Sequence, residues 1–174
     1  MEISRRADYA IRMVTALAAT EGQPRSVRIV AEENDIPYAF ARSIQHDLGS
    51  AGFILSRRGV NGGMVLTEKG RNLTLLELVE SVQGTLSIAV CAREDNWCPH
   101  EANCSFHRVW KSIDRIVRNF LASVTVAQVA SGMMPHLAAA DIMEFGAGSD
   151  MDAGESAQGV PPADMQSPDD CPLA

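Results

Sequence analysis

The chain has 174 residues, 46% of them hydrophobic, and a formal net charge of −7. That is enough apolar material for one ordinary domain, or for a small head joined to a dimerisation element. No run of ~18 consecutive apolar residues occurs, so neither a membrane span nor a signal peptide is expected, and four cysteines are too few for a secreted disulfide scaffold of this length; the chain is read as cytoplasmic.

The acidity is uneven. All 15 Lys and Arg but only 14 of the 22 acids lie in residues 1–118, which carry a net charge of +1. A near-neutral head with clustered cations is compatible with nucleic acid, which the overall charge alone would argue against.

In chain order, apolar residues recur at Ala7, Ala10, Ile11, Val14, Leu17 and Ala18 between Ser4 and Thr20, the stripe of an amphipathic helix, with Gly22 as its stop. Ser26 can cap a second helix running to about Asn34, with Val27, Val30 and Ala31 inward. Asp35-Ile36-Pro37 then breaks the pattern before a third helix begins. Two short helices around a tight turn predict a helix-turn-helix. On the third helix Phe40, Ile44, Leu48 and Ala51 are expected on the buried face, and Tyr38, Arg42, Gln45 and Gly49 on the opposite one. Arg and Gln can contact guanine and adenine through paired hydrogen bonds, so the outward set reads as a recognition surface.

Phe53-Ile54-Leu55-Ser56 and Met64-Val65-Leu66 flank the turn Arg57-Arg58-Gly59-Val60-Asn61-Gly62-Gly63. Glycine and asparagine permit a tight hairpin, and paired arginines at its tip suit phosphates or a narrow minor groove. This predicts the wing of a winged helix-turn-helix. The expected DNA-binding residues are Tyr38, Arg42, Ser43, Gln45 and His46 on the third helix, Ser26 and Arg28 at the start of the second, and Arg57, Arg58 and Asn61 in the wing.

Thr74 and Glu77 form a capping box for a helix over 74–83, which Gly84 ends. Cys91, Cys98, Cys104 and His107 follow with the spacing C-x6-C-x5-C-x2-H. Soft thiolates tethered this way select iron–sulfur clusters, zinc or Cu(I), and three Cys with one His is also a closed structural zinc set. A thiol-redox enzyme is not expected, because there is no C-x-x-C and no nucleophile–base–orienter set. His46, His100 and His136 are read as surface or packing residues. The helix from Ser105 to Leu121 carries Phe106, Val109, Trp110, Ile113, Ile116, Val117 and Phe120 at alternating steps of three and four, a seam that predicts a two-fold dimer. From Gly146 the chain is rich in Gly, Pro, Ser and Asp and lacks Lys and Arg, so an acidic disordered tail is expected; its end, Cys171-Pro172-Leu173-Ala174, fits a prenylation box only formally.

Asp8-Tyr9-Ala10-Ile11-Arg12, Arg58-Gly59-Val60-Asn61-Gly62-Gly63, the three cysteines and Thr125-Val126-Ala127-Gln128-Val129 together resemble the bacterial winged-helix iron–sulfur regulators typified by IscR, NsrR and RirA, nearest the NsrR-like branch. The resemblance covers residues 1 to about 130. It implies a homodimeric transcription factor, reading a palindromic operator in double-stranded DNA, whose iron–sulfur cluster controls binding. It implies a 4Fe-4S cluster in preference to 2Fe-2S, held by Cys91, Cys98, Cys104 and Asp8 of the partner subunit, with His107 as the alternative fourth ligand. The expected fold is therefore mainly α: a winged helix-turn-helix head of three helices and a two-stranded wing (1–72), a linking helix and cluster loop (73–104), a dimerisation helix with a short helix after it (105–130), and an extension (131–174) disordered from about 146.

Overall fold

The computed structural model describes residues 2–20, 22–59, 62–93, 98, 100, 101 and 103–133. Asn61, His136, Cys171 and the expected acidic tail lie outside these residues. Among the described residues no helix is long and apolar enough to cross a membrane.

Helix α1 spans Arg5–Ala18, and the Ser4 hydroxyl caps it by accepting from Ala7 N at 3.2 Å. Its buried stripe is Ala7, Ala10, Met13, Val14 and Leu17; Met13 joins the expected set, while Ile11 and Ala18 pack only at the rim. Helix α2 (Val27–Glu33) starts at Ser26, whose side chain accepts from Arg28 N. Asp35, at φ 54°, makes the turn, a left-handed conformation that short polar side chains tolerate. Helix α3 (Tyr38–Ser50) buries Ala41, Ile44 and Leu48. The expected place of Phe40 on that face is corrected: it is 45% exposed, because the stripe through 44 and 48 meets the preceding turn at 41. The Phe40 ring rests edge-on against Tyr9, centroids 5.8 Å apart.

Strands β1 (Ile54–Arg57) and β2 (Gly63–Leu66) pair antiparallel, Ile54 opposite Leu66 and Arg57 opposite Gly63. Arg25 bridges to Met64 through two backbone hydrogen bonds of 3.0 and 2.7 Å, so the approach to α2 pins the wing. A one-turn helix α4 (Glu68–Arg71), absent from the sequence reading, closes the wing under a Thr67 cap. Within it Gly70 lies so near the wing that a Cβ would stand 2.0 Å from the Phe53 carbonyl oxygen.

Helix α5 (Leu75–Gln83) has the capping box formed by Thr74 and Glu77. A 3₁₀ turn (Val90–Ala92) precedes the long helix α6 (Ser105–Ser123), and α7 (Val126–Ala130) has a second capping box, Thr125 with Gln128. Leu75 N donates to Val124 O and Val126 N to Leu73 O, each at 2.9 Å. The end of α6 is thereby stitched back onto the head, whose core gathers Met13, Ile44, Leu48, Met64, Leu78 and Val126.

Between α5 and the 3₁₀ turn the chain is clasped by charged groups. Asp114 of α6, only 5% exposed, accepts from Ile88 N at 2.6 Å. Arg118 donates to Glu80 and, at 2.8 Å, to the Leu86 carbonyl, while Leu86 N donates back to Glu80 at 3.0 Å. One acid and one base on α6 thus hold the segment that leads to Cys91.

Two stability outcomes follow. Gly70→Ala forces a methyl group against a backbone oxygen and should cost about 1–3 kcal/mol, whereas Gly49→Ala in α3 meets nothing within 4 Å and should gain roughly 0.5–1 kcal/mol; urea unfolding at fixed protein concentration separates them. Asp114→Ala removes the acceptor of the part-buried Ile88 N–H and should cost about 1–3 kcal/mol in the same assay. An unchanged midpoint would show that the clasp contributes nothing.

Candidate nucleic-acid interface and thiol loop

The residues expected to face DNA gather on α2, α3 and the wing. Arg28 lies over the Tyr38 ring, 5.1 Å from its centroid, so the starts of α2 and α3 present one cation–aromatic pair. Along α3, Arg42 donates to Gln45 Oε1 at 2.8 Å, and Gln45 Nε2 donates to Ser56 Oγ of β1 at 3.0 Å. This chain of bonds ties the recognition helix to the wing. Arg57 ends β1 and Arg58 follows it, both exposed. Ser43 accepts from Arg6 at 2.9 Å, and the exposed His46 ring stands 3.6 Å from Asp47. Ser26 has a structural task as the α2 cap, which leaves its hydroxyl less free than the sequence suggests.

One contributor escaped the sequence reading. Arg6 of α1 pairs with Asp47 as well as with Ser43, clamping α3 onto α1. Two residues 41 positions apart leave no local pattern by which to find them.

The three thiols are spread along the segment before α6. Cys91 sits in the 3₁₀ turn, and Cys104 is the residue at which α6 begins, its carbonyl accepting from His107 N at 3.2 Å. Cys91, Cys98 and Cys104 are free and partly buried. Among the described residues no three His, Cys, Asp or Glu side chains converge closely enough to hold a metal ion; loop positions 94–97, 99 and 102 lie outside those residues. The donor set itself fits a soft metal or an iron–sulfur group: three free thiols and one buried imidazole.

The two candidates for a fourth donor differ sharply. Asp8 lies on α1 with its side chain 45% exposed, 2.7 Å from Arg12, which also reaches the Asn34 carbonyl at 3.5 Å. His107 is 4% exposed. Its Nε2 is 3.0 Å from Glu101 Oε1, and its buried Nδ1 has no hydrogen-bond partner among the described residues. Glu101 was not anticipated, because nothing in loop spacing singles out one acid.

Helix α6 is turned the opposite way from an ordinary surface helix. Its buried residues are His107 and Asp114, while Phe106, Val109, Trp110 and Ile113 are 65, 47, 39 and 37% exposed. Ile116, Val117 and Phe120 continue the seam half-buried. An exposed run of large apolar side chains marks an interaction surface.

The chain is similar to known proteins over this same stretch. It is 29% identical over 133 residues to the HTH-type transcriptional repressor NsrR of Streptomyces coelicolor, covering 75% of this chain and 89% of that one. Among solved structures, CymR, the global cysteine regulator of B. subtilis, superposes with a TM-score of 0.61 at 27% identity, covering 76% of this chain and 98% of CymR. IscR of T. potens, at 20% identity and a TM-score of 0.58, covers 79% of this chain and 94% of its own and shares the fold. The model of the Rrf2 family, iron-dependent transcriptional regulators, matches residues 3–132. Because that match runs from the edge of the α1 cap to just beyond α7, the chain belongs to the Rrf2 family, whose members are DNA-binding transcriptional regulators and not enzymes.

Proposed function

We propose that this regulator is a homodimeric repressor whose binding to a palindromic operator depends on an iron–sulfur cluster held by Cys91, Cys98 and Cys104. The observation that carries the reading is the attachment of the thiol loop. Cys91 follows directly on the segment that Asp114 and Arg118 clasp to α6 and α5. Helix α5 packs on α1, and α1 packs on the recognition helix α3. A change at the thiols therefore has a short, rigid route to the DNA-reading face.

A bound cluster supplies iron that nitric oxide or oxygen can attack and that iron scarcity leaves unfilled. The chain's own residues do the rest. The thiolates tether three points of one loop; the Asp114 and Arg118 contacts keep its first part seated; the Arg6 clamp carries the position of α1 to α3. The apolar α6 seam sets two recognition helices at a fixed spacing, as two-fold readers of palindromes require. The favoured cluster is 4Fe-4S, on the resemblance of residues 8–12 to the NsrR-like branch, with 2Fe-2S as the second form; the fourth donor is Asp8 of the partner subunit or His107. A structural zinc site without sensing is the competing reading.

Anaerobically purified protein should be coloured and contain iron and sulfide. Its operator affinity should differ from that of the cluster-free form by about 5–150-fold at one fixed salt concentration. Equal affinities reject cluster control, and a colourless protein with stoichiometric zinc rejects the cluster itself.

For the DNA face, Arg58→Ala should weaken binding to all sequences alike and reduce the salt slope by about 1, while Gln45→Ala should relax base preference at one position by about 1–3 kcal/mol. Binding titrations over a salt series with matched and mismatched operators distinguish the two. A uniform loss from Gln45→Ala would remove it from base readout.

A further inference from the structure

We infer that Glu101 is a positioning residue that fixes the His107 ring so that Nδ1 serves as the fourth donor to the cluster, an inference that rests on the cluster reading above. Glu101 stands between Cys98 and Cys104, in the middle of the thiol loop. Its Oε1 meets His107 Nε2 at 3.0 Å and lies 3.6 Å from Lys111 Nζ, one turn further along the same face of α6. Loop and helix are therefore joined at one carboxylate.

The imidazole is where the argument turns. A histidine buried for packing pairs both of its ring nitrogens, as buried polar atoms generally do. Here the side chain is 5% exposed, Nε2 is engaged, and Nδ1 is enclosed without a partner among the described residues. A carboxylate at Nε2 selects the tautomer that carries its hydrogen there, leaving the Nδ1 lone pair free. That is the arrangement of metal-binding histidines, whose second nitrogen donates to a carboxylate that orients the ring. His107 is three residues beyond Cys104, one helical turn away. Asp8, by contrast, is held through one oxygen by Arg12 and would have to reach another subunit. The orphaned nitrogen has no partner among the described residues and lies in the same chain as the thiols.

The test uses full-length protein with ¹⁵N-labelled histidine, loaded anaerobically, assayed for iron and sulfide, then reduced for pulsed EPR. Wild type and Glu101→Gln, whose amide oxygen still accepts from Nε2–H, should show strong ¹⁵N coupling to the cluster; His107→Ala should lose it. Glu101→Ala should weaken the coupling and lose iron to a chelator about 10–100-fold faster than wild type. Glu101→Met, similar in length but without an acceptor, repeats the measurement should the alanine variant fold poorly. A loaded wild type without histidine coupling overturns the inference, as does a Glu101→Ala or Glu101→Met protein that matches wild type in both coupling and iron loss. Wild type with no sulfide fails at the earlier assay, which identifies the cluster reading as the part that is wrong and takes this inference with it.

Discussion

Helix α6 buries two polar groups and exposes four large apolar side chains, and the rest of the molecule depends on that inversion. Asp114 and His107 are buried on the side facing the chain, where Asp114 holds the Ile88 amide and His107 meets Glu101. Phe106, Val109, Trp110 and Ile113 look outward. Fully burying one such side chain contributes about 1.5–3 kcal/mol, and a two-fold axis counts each residue twice. The inner face thus organises the thiol loop, while the outer face is left for the second copy of the proposed dimer. A single α6 lying alone on its own head satisfies only half of what its sequence asks for.

The same helix joins loop and head mechanically. Its beginning carries Cys104 as the N-cap, its middle the Asp114 and Arg118 clasp, and its end the backbone pairs between Val124 and Leu75 and between Leu73 and Val126. Those last bonds seat α7 against α1 and close the core around Leu78 and Val126. In the proposed switch, a displacement at the loop would act on α5 and α1, and through Arg6 on Asp47 of α3. The coupling free energies needed for regulation, about 1–3 kcal/mol, are comparable to one or two of these charge-assisted bonds.

Much of this was legible in the sequence, and the remainder was hidden for identifiable reasons. Ser26, Thr74 and Gly84 stand at the helix ends where their side chains or conformations predict, because capping is local chemistry. The wing strands came within a residue of their observed bounds. Phe40 was misread because a spacing of four from Ile44 fits the stripe as well as the observed Ala41, and only packing against Tyr9 decides. The four-residue α4 is too short to show a period. In the thiol loop the donors were visible by type, but Glu101, Asp114 and Arg118 were not. Their partners are 6, 26 and 38 residues away, and no helical or strand period marks such pairs.

In the proposed cluster switch, the fourth donor decides where the switch is thrown. Arg12 links Asp8 to the Asn34 carbonyl at the end of α2, so drawing Asp8 toward a neighbouring subunit would act on the helix-turn-helix directly and only in the dimer. With His107 as donor the consequence is different. All four ligands then lie between Cys91 and the first turn of α6 in one chain, and the Asp8–Arg12 pair stays intact in both states. Loss of the cluster would free the loop around Glu101, load the Ile88 and Leu86 contacts, and reach α3 through α5, which touches it directly, and through α1. A regulator wired in that order would need no second subunit to complete its sensor, and its α6 seam would supply no ligand.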